Sequence, residues 1–373
     1  MRNLLVGNGL NCQFDNKNYT AQQIVLRILK NCNRDDFPGE IIVDRPYLLK
    51  AYLGGLFSKV RELLDGQLDK YTVSSAEKEA LKAFKMKYSP NSQRLKMTDI
   101  CFEDYYLLHD LVCHLMKVGN PDQYTIRECM RFAYLFAIYN DGKLNELYLK
   151  YSPNVLEYLS SFDHIFTTNY DTNIESATGK QVVHLHGQFD RFSDVYDANS
   201  LRNKIKDAPL NDIAVDPNYA YLYCNAITTH SGAYKEWMIY QNSKANKFIE
   251  NMAEKYKADQ EAKKQVDLWL KSNNQLLINL ADGIIVKSKN PDLGFSDDYH
   301  FDIFKDISGE LEILGFSPWN DFHILRTIDE SCIEKCTYYY RSQGSRDEIE
   351  KLLPTLAKEN RLQFKSIHAL WGD

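Results

Sequence analysis

Two short apolar runs that end abruptly in polar residues constrain the fold of this chain more than any other feature. Ile165-Phe166 runs into Thr167-Thr168-Asn169-Tyr170-Asp171, and Val182-Val183 runs into His184-Leu185-His186-Gly187. Each run has the length of a buried strand and delivers its polar residues where that strand ends. In an open parallel sheet the ligand crevice forms at that edge. Two further segments repeat the pattern. Leu4-Leu5-Val6 leads into Gly7-Asn8-Gly9-Leu10-Asn11 and then a helical stretch over 21–29, and Leu311-Glu312-Ile313-Leu314 leads into Gly315-Phe316-Ser317-Pro318-Trp319-Asn320-Asp321. Glycines let a backbone approach a pyrophosphate closely, and a helix start offers free N–H groups at the positive end of its dipole, so the first turn is a candidate phosphate cradle. Gly315 and Ser317 leave room for a ribose or phosphate, and Asn320 or Asp321 is placed to cap the next helix.

Between these strand ends the period changes. Over 45–66 apolar residues recur at helical spacing (Leu48, Tyr52, Leu56, Val60, Leu63, Leu64), a Ser74-Ser75-Ala76-Glu77 capping box opens a charged helix, and Asp99 starts another that carries Leu108, Val112, Leu115 and Met116. Thr125-Ile126-Arg127-Glu128 reads as a second capping box, opening an aromatic helix that stops near Asn140-Asp141-Gly142. The helical style continues over 233–280, with a mixed-charge face over 255–264 that reads as solvated. After Gly283 strands and helices alternate again: strands at Ile284-Ile285-Val286, at 311–314, at Thr337-Tyr338-Tyr339-Tyr340 and over 362–367, with helices over 323–328 and 347–356. Alternation of this kind predicts an α/β fold, a Rossmann-like, mostly parallel sheet with large α-helical insertions. The expected core is discontinuous, made of 1–43, 160–192 and 281–373, with a helical insertion at 44–159 and a second, mostly helical one at 193–280.

Composition narrows the function classes. A chain of 373 residues, 44% hydrophobic, can bury a substantial core. Its net charge of -6 repels nucleic acid, so no direct nucleic-acid partner is expected. No charged N-terminal region precedes a long apolar stretch and no run of roughly 20 apolar residues occurs, which predicts no membrane span and a soluble, cytoplasmic protein. The 8 cysteines form no regular framework and read as reduced thiols.

Taken in order, Gly7-Asn8-Gly9, Thr167-Thr168-Asn169-Tyr170-Asp171, His186-Gly187 and Gly315-Phe316-Ser317 resemble the sirtuin family, which binds NAD on a Rossmann-like sheet through a Gly-x-Gly turn, a Thr-x-Asn-x-Asp motif, a His-Gly motif and a late Gly-x-Ser turn. Two features depart from the deacylases of that family. No pair of Cys-x-x-Cys motifs is present to hold a structural zinc, Cys332 and Cys336 being the nearest approach, and no acyl-lysine-binding segment follows His186-Gly187. The pattern is more similar to the sirtuin-like NAD hydrolases of bacterial anti-phage defence and to related abortive-infection proteins that begin with a Gly-Asn-Gly turn.

That resemblance implies cleavage of NAD to nicotinamide and ADP-ribose, with NAD as substrate and no metal. By it, Asn169 and His186 are the catalytic residues: the amide orients a water or the ribose hydroxyls and the imidazole acts as base. Gly7, Asn8, Gly9, Asn11, Thr168, Asp171, Gly315, Ser317 and Asp321 are the expected binding residues. Asp171 either orients Asn169 or caps the following helix, and His184 shares a strand face with His186 but lacks the adjacent glycine. The same resemblance implies a homo-oligomeric abortive-infection effector, silent until triggered and paired in some relatives with a helicase-like ATPase. Two other readings stand beside it: a non-catalytic sensor or scaffold that binds ADP-ribose-like nucleotides, and a protein deacylase or ADP-ribosyltransferase.

Overall fold

The computed structural model describes residues 1–119, 122–192, 204–205, 208–209, 216–228, 235–236, 239, 242–291, 293–294, 297–317, 319 and 321–370. Strands β1 (Arg2–Val6), β2 (His164–Thr167) and β3 (Val182–His184) come first, then the short pair β4 (Lys204–Ile205) and β5 (Ala208–Pro209), then β6 (Ser308–Leu314), β7 (Cys332–Tyr340) and β8 (Leu362–Ser366). Apart from the antiparallel β4 and β5, these strands form one 6-stranded sheet ordered β3-β2-β1-β6-β7-β8. Every pair in it is parallel. This is the doubly wound order, and the winding reverses between β1 and β6.

Both faces of the sheet are covered, as parallel sheets require. Side chains alternate along each strand. Leu5, Phe166, Leu311, Ile313 and Tyr338 face one side, where helices Phe301–Lys305, Phe322–Asp329, Gln343–Leu352 and Pro354–Lys358 bury them. Leu4, Val6, Ile165, Val182 and Leu314 face the other, under Gly9–Phe14, Pro153–Ser160 and Asn173–Thr178. The helix Pro153–Ser160 therefore covers the sheet, although the sequence boundary at 159 assigns it to the insertion. Conversely, Ile24, Val25 and Ile28 of helix Ala21–Asn31 share a core with Leu53, Tyr106, Phe132 and Tyr134 of the first helical region.

Several sequence expectations change here. The strand expected at Ile284-Ile285-Val286 is part of helix Gln275–Lys289, where Ala281 and Ile284 pack on Ala253 and Val266 of helices Asn242–Ala258 and Gln260–Leu270. An apolar run of that length has no period that separates a strand from a buried helix. The Ser74-Glu77 capping box is present. The Thr125-Glu128 box is not, because the helix already begins at Asp122 and runs to Tyr139. Asp99 closes a 3-10 turn, its carboxylate accepting from the Lys96 N–H, and the helix expected from it starts at Asp104. Pro354 splits the last helix into Gln343–Leu352 and Pro354–Lys358. Asn320 and much of the second insertion lie outside the described residues.

Candidate functional site

The C-terminal ends of β1, β2, β3 and β6 meet a cleft of about 830 Å³, at the place where the strand order reverses. Every site residue expected from the sequence borders it: Asn169 and His186, together with Gly7, Asn8, Gly9, Asn11, Thr168, Asp171, Gly315, Ser317 and Asp321. The first helical region adds Tyr88, Phe102 and Glu103 to the wall, and the second insertion adds Lys235.

The two glycine turns interlock. The Gly7 N–H donates to the Leu314 carbonyl (2.9 Å) and the Gly9 N–H to the Gly315 carbonyl (2.7 Å). A Cβ on Gly7 would lie 2.7 Å from the Gly315 oxygen, and one on Gly9 would lie 2.6 Å from the Gly315 Cα. Gly315 itself sits at φ +65°, in the left-handed region. These glycines are thus required by the approach of β1's turn to β6's turn. The free N–H groups expected of the cradle are already in use at Gly7 and Gly9. The helix that follows is also only 6 residues long, starting at Gly9 rather than at 21.

Polar residues tie the two N-terminal strand ends together. The Asn11 amide donates to Asp171 Oδ2 (2.6 Å), and Asp171 Oδ1 accepts from the Asn173 N–H (3.2 Å) and side-chain amide (2.6 Å). Asp171 therefore holds the start of helix Asn173–Thr178 and the first turn at once. Burial raises its carboxyl above the usual range. Asn11 Oδ1 is buried and has no partner among the described residues. Asn169 is anchored through its backbone N–H to Thr167 Oγ1 (3.0 Å), while its amide reaches the Gly7 carbonyl only at 3.4 Å.

His184 and His186 have opposite chemistry. His184 Nδ1 faces the Asn169 carbonyl (3.0 Å) and Nε2 faces Glu175 Oε1 (2.6 Å), so both ring nitrogens meet acceptors and both must donate. Burial alone would lower its pKa, but the Glu175 carboxylate outweighs it and holds the ring charged to higher pH. It props the backbone of Asn169 from behind. His186, 1% exposed, sits in the turn after β3, and Gly187 at φ +79° fits its backbone against Asn225. Burial, reinforced by the Lys235 ammonium, keeps its ring neutral.

Two residues at this corner, Glu103 and Lys235, carry no sequence signal that separates them from core or solvated positions, and a third, His323, has only its place close to Asp321. His186 Nε2 lies 3.4 Å from Nε2 of His323 and 3.8 Å from Asp321 Oδ1. Lys235 Nζ lies 3.3 Å from Asp321 Oδ1 and 2.6 Å from Glu103 Oε1. Burial alone would lower the Lys235 pKa, but Asp321 and Glu103 hold it well above the ordinary lysine value. Burial pushes Glu103 up to about 7 despite Lys235. His323 is kept neutral by burial and by His186, against the pull of Asp321. Its Nδ1 is buried without a partner among the described residues. Asp321 stands at the head of helix Phe322–Asp329 but makes no side-chain cap, because it turns to Lys235 instead. Among the described residues, His186, Asp321 and His323 are the group whose ligand atoms could share one cation. A histidine two residues after Asp321 was the one available hint.

No family model, curated protein or solved structure matches the chain.

Proposed function

We propose that the cleft binds NAD and cleaves its nicotinamide–ribose bond, releasing nicotinamide and ADP-ribose. The observation that carries this reading is convergence: Asn169 and His186, from the ends of adjacent parallel strands, border one cleft with both glycine turns, at the reversal point where such sheets take dinucleotides. The bond breaks with both electrons passing to the nicotinamide nitrogen, which becomes neutral. The cationic anomeric carbon takes the oxygen of a water, and the water's proton is lost to the His186 corner. His186 borders the cleft as the proton acceptor, 3.8 Å from the Asp321 carboxylate, and Asn169, held by Thr167 and braced by His184, orients the water or a ribose hydroxyl. Its resemblance to anti-phage NAD hydrolases supports a role as an abortive-infection effector that works as a homo-oligomer and is restrained until triggered.

The test is chromatography of NAD incubated with the purified chain, beside Asn169→Ala and His186→Ala proteins shown to be folded. Equal release of nicotinamide and ADP-ribose by the wild type, reduced roughly 100-fold or more in both variants, is the expected result. Stabilisation by ADP-ribose without turnover would favour the sensor reading instead.

A further inference from the structure

His186 and His323 face each other through Nε2 at 3.4 Å, with the rings inclined by only 23°. That separation is longer than an ordinary hydrogen bond, which closes by about 3.2 Å for an N–H donor. It is close to the distance between two nitrogens on one tetrahedral ion: bonds of about 2.0–2.1 Å place such ligands roughly 3.3 Å apart. Asp321 supplies the third ligand atom, and the three lie within 4.8 Å of one another.

We propose that His186, Asp321 and His323 bind one divalent transition-metal cation at the inner corner of the cleft. Two imidazoles and a carboxylate suit Zn²⁺, Fe²⁺ or Mn²⁺ better than Mg²⁺ or Ca²⁺, which prefer oxygen throughout. Both rings are buried at the corner, and each presents Nε2, a usual metal-ligating atom, towards the other. Phe301, 6.0 Å from His323 and inclined by 22°, fixes that ring's plane. His186 and Asp321 border the cleft, so an ion between them keeps a coordination position towards it, the arrangement of catalytic rather than structural sites. Lys235 is the competing cation, but its shorter contact is to Glu103 (2.6 Å against 3.3 Å to Asp321). One ammonium facing two carboxylates leaves the corner a net negative charge when both are ionised. This inference rests on the glycosidic reading and refines it: a cation here would lower the pKa of a bound water towards neutral, the water's proton would pass to solvent, and His186 Nε2 would serve as a ligand in place of a base.

Metal binding is measured on the protein itself, so this inference and the NAD reading fail separately. The full chain, stripped with chelator and dialysed against Zn²⁺, Mn²⁺ or Co²⁺, is assayed by elemental analysis and calorimetry. About one equivalent of at least one ion is expected in the wild type, with affinity falling tenfold or more in His323→Ala and in Asp321→Asn. Cys332→Ser and His300→Ala, both at exposed positions away from the cleft, should bind as the wild type does. The Co²⁺ protein should show a visible spectrum without a thiolate charge-transfer band. Stoichiometric binding without NAD cleavage would keep this site and remove the glycosidase. No stoichiometric ion in the wild type, or binding undiminished in folded His323→Ala and Asp321→Asn proteins, would overturn it.

Discussion

The first helical region and the sheet-edge corner each bury neutral histidine, and they do so for opposite reasons. In the helical region His109 is fully matched: Tyr52 donates to Nδ1 at 2.6 Å and Nε2 donates to the Gln123 carbonyl at 3.1 Å. Nearby, Arg127 pairs with Asp110 at 2.6 Å and Arg131 donates to the carbonyls of Leu222 and Cys224. At the sheet edge His186 and His323 meet each other at 3.4 Å, and His323 Nδ1 has no partner among the described residues. Burial and a depressed pKa are common to both regions, so neither marks a site. What separates them is unmatched polar capacity beside an open cleft.

The largest effect is expected at Gly315→Ala, which would force a side chain into the left-handed region and into the backbone of Gly9 and Leu10. A loss of about 3 kcal/mol or more in urea unfolding is expected. A drop below 1 kcal/mol would mean that the two glycine turns do not interlock as described.

A sharper test replaces each histidine by an apolar ring. His109→Phe deletes the acceptor for Tyr52 and the donor for Gln123, and should lower stability by about 2–4 kcal/mol without altering ligand binding at the cleft. His323→Phe removes a nitrogen that lacks a partner and should leave the melting temperature unchanged or raised while abolishing metal binding and NAD cleavage. Equal destabilisation by the two changes would show that His323 is as well matched in the fold as His109.

Two buried histidines, His109 and His184, predict opposite pH dependence. Burial pulls His109 down from 6.5 to about 3, so the folded state excludes a proton that the unfolded chain takes up. Its contribution is present above pH 6.5 and is lost as pH falls, by about 2 kcal/mol at pH 5. The difference in urea midpoint between wild type and His109→Phe, followed from pH 7 to pH 5, isolates it. His184 is the reverse and smaller case. Its raised pKa gives stability that is complete below 6.5 and lost as pH rises through the folded value. Glu175→Gln should remove that alkaline loss, roughly 1 kcal/mol or less given the partly exposed carboxylate. An unchanged slope would show that the pair carries no charge.

Much of the sheet was legible in the sequence because four of its strands couple a short apolar run to an abrupt polar or glycine-rich end. β1, β2, β3 and β6 lie where that signal predicts, and β7 and β8 lie where the alternation of strands and helices after Gly283 predicts. Ile284-Ile285-Val286 failed because a buried helix can show the same run, with Gly283 inside it as no more than a tolerated residue. Within the site, the residues at strand ends could be named because a parallel sheet brings its C-terminal ends together whatever lies between them. Glu103 and Lys235 could not, since each reaches the cleft from a helical region whose docking depends on packing across distant parts of the chain. The role of Asp321 was also out of reach. Its place before a helix predicts a cap, and only the position of Lys235 shows why it makes none.

If the proposed reaction is right, NAD sits in the cleft between the two glycine turns. A crystal structure of the chain with ADP-ribose decides where the dinucleotide binds. Density for the ligand is expected across the reversal point between β1 and β6, with the anomeric carbon beside Asn169 and the His186 corner. Well-ordered ligand bound elsewhere, with that corner filled only by solvent, would contradict it.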